Sequence, residues 1–168
     1  TATPSRLWRN NADGTFTDVT RESGIDFKGY GTSVSLADFD RDGLLDIYQC
    51  QYGDYTSEYP VPPAQKDTGT NLLWRNLGGL KFEEVSADFG LDDRGWSLAV
   101  TWGDVNDDGW PDLVLANDFG DKKLYMSDGD GGFDEVAEDL GIVDRGFGMS
   151  ASLGDTDTKL CRALPRPS

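Results

Sequence analysis

The chain has 168 residues, of which 31 are acidic and 15 are Lys or Arg, so its formal net charge is −16. This acidity argues against nucleic acid or an anionic membrane surface as a partner, and the sequence has no apolar segment long enough for membrane insertion. Histidine is absent, which excludes histidine-based catalysis and histidine-ligated zinc. Five Trp, eight Phe and six Tyr are too many aromatic residues for a disordered acidic chain, so we expect a folded domain with a core.

Several landmarks recur along the chain with common offsets of 66 and then 51 residues. The motif Leu-Trp-Arg-Asn at residues 7–10 returns at residues 73–76 and, more weakly, as Leu-Tyr-Met-Ser at residues 124–127. Phenylalanines, Gly-aliphatic pairs and Gly-aromatic pairs keep the same spacing. So do three acidic loops, which begin at Asp38, Asp104 and Asp155. A register shared by separate landmarks indicates internal repetition.

Each repeat unit is predicted to contain four short strands. The first strand runs into an acidic loop and the second leaves it, the third contains the Leu-Trp-Arg-Asn motif or its equivalent, and the fourth is a Phe-x-x-Val segment. Turn-forming pairs such as Asp13-Gly14 and Gly78-Gly79 separate the last two strands. The strands beside the loops are apolar at most positions, so we expect them to be covered on both faces. Four antiparallel strands repeated along a chain predict an all-β fold made of β-propeller blades.

Two acidic loops, residues 38–46 and 104–112, carry side-chain oxygens at positions 1, 3, 5 and 9 and glycine at position 6. Carboxylates crowded this closely repel one another unless a cation lies between them. Ca²⁺ is favoured because it is a hard cation that accepts about six to eight oxygen ligands in irregular geometry. Leu44 and Trp110, at position 7, would contribute a backbone carbonyl only, and Gly43 and Gly109 would permit a sharp, left-handed turn.

An EF-hand opens with the same acidic spacing and is the main alternative for these loops. Its position 12 requires Glu, whereas the two loops have Gln49 and Leu115 there. The residues that follow each loop are short and apolar, which predicts a strand rather than a helix. The sequence therefore favours a calcium loop between two strands.

The acidic loops, the Gly-rich strands before them and the Leu-Trp-Arg-Asn and Phe-x-x-Val pairs together resemble FG-GAP/VCBS repeats, the calcium-binding blades of integrin-α-type β-propellers. Residues 7–20 are especially similar to the cartilage-acidic-protein-like (ASPIC) branch, and the resemblance covers residues 5 to about 157. It implies a secreted or cell-surface location and a role in adhesion, with a protein or carbohydrate as ligand. It also implies two Ca²⁺ sites, formed by Asp38, Asp40, Asp42, Leu44 and Asp46, and by Asp104, Asn106, Asp108, Trp110 and Asp112.

The repeats divide residues 1–158 into a half blade at 5–20, blades at 29–86 and 95–138, and the start of a further blade at 146–158. Residues 159–168 form an irregular tail. This makes about three blades, whereas closed propellers have about four to eight, so one chain should contain an incomplete ring. Either the chain is part of a longer protein, or chains associate through open blade edges, as a dimer with roughly six blades or as an open-ended assembly.

The third loop departs from the pattern. It keeps Asp155 and Asp157, but Lys159 occupies position 5, where the other loops have Asp. A cation at a ligand position should prevent calcium binding, so we expect two calcium sites and a degenerate third loop.

Two other stretches leave alternatives open. Tyr52, Tyr55 and Tyr59 lie in the long segment that lengthens the first repeat, and they form either a ligand-binding surface or a packed loop. Cys50 is either a free packed thiol or a disulfide partner of Cys161.

We expect the protein to have no enzymatic activity. The clustered acids are already explained as metal ligands, and neither a Ser/His/Asp nor a Cys/His set can be assembled. Two alternatives to an adhesion module remain: a structural subunit of an extracellular polymer that assembles through blade edges, and an accessory domain of a secreted enzyme.

Overall fold

The computed structural model describes residues 3–52, 69–118 and 120–154. These residues form short strands and one single-turn helix, in an all-β arrangement. In chain order the elements are β1 (Thr3–Pro4), β2 (Trp8–Asn10), β3 (Phe16–Asp18), α1 (Thr20–Ser23), β4 (Lys28–Gly29), β5 (Gly31–Ala37), β6 (Asp46–Gln51), β7 (Leu72–Asn76), β8 (Phe82–Glu84), β9 (Ser97–Gly103), β10 (Asp112–Asn117), β11 (Lys123–Ser127) and β12 (Phe133–Glu135).

Two four-stranded antiparallel sheets form the body of the molecule. Their orders are β5-β6-β7-β8 and β9-β10-β11-β12, so each strand pairs with the next one along the chain. Ala37 pairs with Asp46 in the first sheet and Gly103 pairs with Asp112 in the second. Each acidic loop therefore connects the first two strands of its sheet. The predicted fold class, blades of four antiparallel strands, is confirmed.

The N-terminal residues form a separate hairpin of β2 and β3, in which Trp8 pairs with Asp18 and Asn10 with Phe16. It corresponds to the last two strands of a blade and lies within the predicted half blade. In addition β1 pairs with β4, a contact that the repeat pattern did not indicate. Within the described residues the sheets do not close into a ring.

The main core lies between the two sheets. Phe39, in the first loop, packs against Phe89 with ring centroids 4.8 Å apart, and Tyr48 of β6 packs against Trp102 of β9. The buried members of this cluster are Phe39, Tyr48, Cys50, Leu73, Val85, Leu91, Val100, Leu113, Leu115 and Tyr125. Because both sheets contribute to it, burial of this apolar surface fixes one blade on the next.

The strand that enters the first loop is more exposed than the sequence predicted. Every residue of β6 is buried, but β5 alternates between exposed and half-buried residues, with Val34 59% and Leu36 56% exposed. β5 is the edge strand of its sheet, and in the described part of the chain the face that carries Val34 and Leu36 is not covered by another sheet. The expectation that both strands beside the loop are covered on both faces is therefore wrong for β5.

Candidate metal centre

The first acidic loop brings three carboxylates together. Asp38, Asp40 and Asp42 each offer one oxygen, and these oxygens lie within 4.8 Å of one another. Repulsion between charges at this separation is appreciable even near a protein surface. The arrangement is therefore one that a cation would stabilise.

The loop is held in shape by its own backbone. Gly43 donates its N–H to Asp38 Oδ2 at 3.0 Å, and Leu44 donates to Asp42 Oδ1 at 2.8 Å. Gly43 has a φ of 90°, in the left-handed region that the turn was predicted to need. Arg41 also has a positive φ, 59°, which the sequence did not reveal.

The second loop repeats this geometry. Gly109 donates its N–H to Asp104 Oδ2 at 2.8 Å, and Trp110 donates to Asp108 Oδ1 at 2.8 Å. Asn106 stands where Asp40 stands in the first loop, and its amide donates to Asp108 Oδ2 at 2.9 Å. Two loops with different residues at positions 2, 3, 4, 7 and 8 therefore fold in the same way.

The carboxylates at position 9 tie the loop to the third strand. Asp46 is 1% exposed, and its two oxygens accept the backbone N–H groups of Phe39 at 3.1 Å and Asn76 at 2.8 Å. Asp112 does the same for Val105 at 2.8 Å and Ser127 at 2.9 Å. Sequence reasoning assigned these residues only as ligands. Since each carboxylate oxygen has a further lone pair, that ligand role stays a prediction beside the structural one.

Burial changes the acidity of both position-9 carboxylates. Desolvation raises the pKa of Asp46 to about 6, against the backbone hydrogen bonds from Asn76 and Phe39, and the charges of Asp40 and Asp42 raise it further. The pKa of Asp112 is raised for the same reason, with the charges of Asp108 and Asp104 adding to burial. A cation in either loop would favour the ionised form and oppose this shift.

The first loop also contains a buried oxygen that a cation could bind. Asp38 Oδ1 is buried and has no hydrogen-bond donor among the described residues. Buried acceptors are nearly always satisfied, so an unsatisfied oxygen on one of the three clustered carboxylates is suited to a metal ion. The oxygen-only donor set fits Ca²⁺.

A further charged residue belongs to this site. Arg75, from the Leu-Trp-Arg-Asn motif on β7, places Nε 2.8 Å from Asp40 Oδ2. The second blade has Met126 at the equivalent position, and its loop has the neutral Asn106 in place of Asp40. Of the two described blades, the one with the additional carboxylate, Asp40, is therefore also the one with the arginine. The sequence showed Arg75 only as a repeat landmark, because its contact depends on the pairing of β6 with β7.

The two position-7 residues keep their side chains away from the acidic groups. Leu44 is half-buried and lies near Gly78, where an added Cβ would be 3.8 Å away. Trp110 is half-buried and lies against Gly129. This agrees with a contribution through the backbone carbonyl, which stays a prediction for both residues.

The remaining candidates fall into two groups. Tyr52 is 6% exposed, donates its hydroxyl to Asp118, and packs edge-on against Trp96 at 4.8 Å, so it fits the packed-loop alternative rather than an exposed ligand surface. Tyr55, Tyr59 and the degenerate loop at Asp155 and Asp157 lie outside the described residues.

Cys50 is buried and has no disulfide partner among the described residues, and burial raises the pKa of its thiol to about 12. Its predicted alternative partner, Cys161, also lies outside the described residues. At neutral pH this thiol is therefore protonated.

Comparison with known proteins places the loops and sheets in a family. A model of the FG-GAP-like repeat matches residues 2–48, 64–115 and 104–158. The chain belongs to the FG-GAP-like repeat family. The matches cover most of the chain and include both acidic loops, so the repeat seen in the sequence is the family's repeat.

Relatives of this FG-GAP-like chain include cartilage acidic protein 1 from Xenopus tropicalis and from Homo sapiens, each 33% identical over 97 residues. The Mus musculus protein is 31% identical over 97 residues. The alignments cover 53% of this chain but only 14% of each relative. The resemblance to the cartilage-acidic-protein branch is therefore confirmed. Among the described residues no helix is long and apolar enough to cross a bilayer.

Proposed function

We propose that the chain is a calcium-binding β-propeller repeat module that acts outside the cell, in which metal ions stabilise the blades. The observation that carries this proposal is the first loop, where three carboxylates converge within 4.8 Å and a buried Asp38 oxygen has no donor among the described residues. The second loop has the same backbone hydrogen bonds, which supports a second site.

In this proposal the loop residues act as ligands and as ties. Asp38, Asp40 and Asp42 supply side-chain oxygens to the first site, and Asp104, Asn106 and Asp108 supply them to the second. A bound Ca²⁺ would supply the positive charge that lets these acids stay ionised at close range. Asp46 and Asp112 hold each loop on the third strand of its sheet. Ion binding is thereby linked to folding of the blade's hairpins.

An extracellular adhesion or ligand-binding role is supported by composition and by the relatives. A net charge of −16 is compatible with surroundings rich in divalent cations, and the relatives bear the name cartilage acidic protein. The partner we propose is a protein or a carbohydrate. We propose no enzymatic activity. The oxygens of the buried Asp46 already accept two backbone N–H groups, and the other acids of the loop are proposed as calcium ligands.

Thermal unfolding tests the calcium proposal. We expect a markedly higher melting temperature in millimolar calcium than in chelator, with little recovery in Mg²⁺, which requires tighter octahedral geometry. Equal melting temperatures in chelator and in calcium would contradict the proposal.

A matched pair of variants assigns the effect to the loop. Asp42→Ala removes a ligand and should abolish the first-site part of the calcium-induced shift. Asp107→Ala removes the same charge at the exposed, non-ligand position 4 of the second loop and should leave most of the shift intact. Equal losses in the two variants would mean that general charge, not ligation, produces the shift.

Assembly through open blade edges is the second candidate, and one observation favours it. Val34 and Leu36 are exposed on edge strand β5, and β2 pairs on only one side within the described residues. Open edges and exposed apolar side chains favour association. Light scattering of calcium-loaded protein at increasing concentration tests it: growth in mass supports assembly, and a constant monomer mass contradicts it.

A further inference from the structure

The two acidic loops touch each other through one side chain. The guanidinium carbon of Arg41, at position 4 of the first loop, lies 5.0 Å from the ring centroid of Trp110, at position 7 of the second. Arg41 also packs on Gly109, where an added Cβ would lie 3.6 Å from Nη1. Arg41 therefore contacts two consecutive positions of the neighbouring loop, at a distance typical of a cation–π interaction.

The position of Arg41 depends on the conformation of its own loop. Its φ of 59° lies in the left-handed region, which a side chain adopts only where the surrounding structure requires it. It stands between Asp40 and Asp42, two of the three acids that converge in the first loop. Opening of that loop would release this backbone conformation and move the guanidinium.

The position of Trp110 likewise depends on the conformation of the second loop. Its backbone N–H is bonded to Asp108 Oδ1 at 2.8 Å, and its indole lies against Gly129 in the turn between β11 and β12, where an added Cβ would meet Nε1 at 3.3 Å. The pair is specific to this junction, since position 7 of the first loop is Leu44 and position 4 of the second is Asp107.

We propose that the Arg41–Trp110 contact couples the two loops, so that each binds Ca²⁺ more tightly when the other is already loaded. This inference rests on the proposed calcium function. Closing either loop fixes one member of the pair, which favours the conformation in which the other loop is closed, and such coupling is necessarily reciprocal. For one exposed cation–π contact we expect a coupling factor of about two- to fivefold in affinity.

Calcium titration calorimetry on the 168-residue chain measures this factor. Asp42→Ala reports the second loop alone and Asp108→Ala reports the first alone, so the two single-site constants and the two-site titration of the unmodified chain give the coupling. We expect about two- to fivefold coupling in the unmodified chain. The same three titrations in a Trp110→Leu background should give a factor close to one, because leucine occupies position 7 of the first loop and keeps the backbone carbonyl.

Two further variants serve as controls. Trp8→Leu removes an exposed tryptophan from the N-terminal hairpin and should leave the coupling unchanged. Arg41→Gln removes the other partner from an exposed position and should abolish the coupling even if Trp110→Leu folds poorly. It should also strengthen the first site on its own, because a nearby positive charge is lost.

The possible results distinguish the coupling between the loops from the calcium-binding function on which it rests. Two sites that bind calcium independently in the unmodified chain, or an undiminished factor in Arg41→Gln, overturn the coupling and leave the calcium proposal standing. Absence of calcium uptake by the unmodified chain overturns both.

Discussion

At the scale of single residues, the aspartates of one loop have different tasks. Asp42 is the exposed member of the carboxylate cluster, whereas Asp46 is buried and satisfies two backbone N–H groups. The spacing of acidic residues in the sequence does not distinguish Asp42 from Asp46. Their difference arises from strand pairing, because the N–H of Asn76 reaches Asp46 only when β6 and β7 lie side by side.

Substitution in chelator distinguishes the two tasks. Asp46→Ala leaves the N–H groups of Phe39 and Asn76 without acceptors, so it should lower the free energy of unfolding by about 2–4 kcal/mol even without metal. Asp42→Ala relieves repulsion and should change it by less than about 1 kcal/mol. Urea unfolding in chelator measures both. If Asp46→Ala is no less stable than Asp42→Ala, the carboxylate does not hold the loop on β7.

The raised pKa of Asp46 predicts an unusual pH dependence for the metal-free chain. The folded pKa of about 6 exceeds the value near 4 expected for an unfolded chain, so the folded state binds more protons in this interval. Asp46 therefore contributes stability that is complete below about pH 4 and is lost as pH rises through about 6. Calcium binding needs the ionised form and should weaken as pH falls below about 6.

A comparison with Asp46→Asn isolates this contribution from those of the other acids. In chelator, urea unfolding between pH 4 and pH 7 should show the unmodified chain losing stability relative to Asp46→Asn as pH rises. A constant difference across this interval would mean that the Asp46 carboxyl titrates normally in the fold.

At the scale of elements, a chain of buried polar groups connects the two blades. Asn71, before β7, accepts the N–H of Gln51 at 2.8 Å and donates to Ser97 Oγ of β9 at 2.8 Å. Ser97 Oγ in turn donates to Asn117 Oδ1 of β10 at 2.8 Å. These residues lie at the ends of the sheets opposite the acidic loops, so the blades are joined at both ends.

Removal of this connection should weaken the junction between the blades. Asn71→Ala leaves the N–H of Gln51 and the hydroxyl of Ser97 each short of a partner, at a cost of about 2–3 kcal/mol. Asn11→Ala, in the exposed turn of the N-terminal hairpin, is the control and should cost less than about 1 kcal/mol. Denaturant unfolding gives both values, and equal values would show that the buried network contributes nothing particular to the junction.

The strands were largely predictable from the sequence, and their surroundings were not. The repeat register placed the strands beside each loop because the same apolar segments and turn glycines recur in each unit. The β1–β4 pairing and the exposure of Val34 and Leu36 depend on which neighbour covers each edge, which a periodic pattern does not encode. Arg75 was missed for a similar reason, since its partner is set by three-dimensional register.

At the scale of the whole molecule, the two described blades share one hydrophobic core. Apolar side chains join the first blade to the second, and a smaller cluster joins Ile47 and Trp74 of the first blade to Ile25, which lies between α1 and β4. The two acidic loops lie close enough to each other for Arg41 to reach Trp110. Calcium bound at the proposed sites would therefore stabilise the junction between blades as well as each hairpin.

Anomalous diffraction from crystals grown with calcium would show directly whether the two loops bind the ion. We expect one calcium peak in each loop, bounded by oxygens of Asp38, Asp40 and Asp42 in the first and of Asp104, Asn106 and Asp108 in the second. Loops without anomalous density at saturating calcium would contradict this expectation.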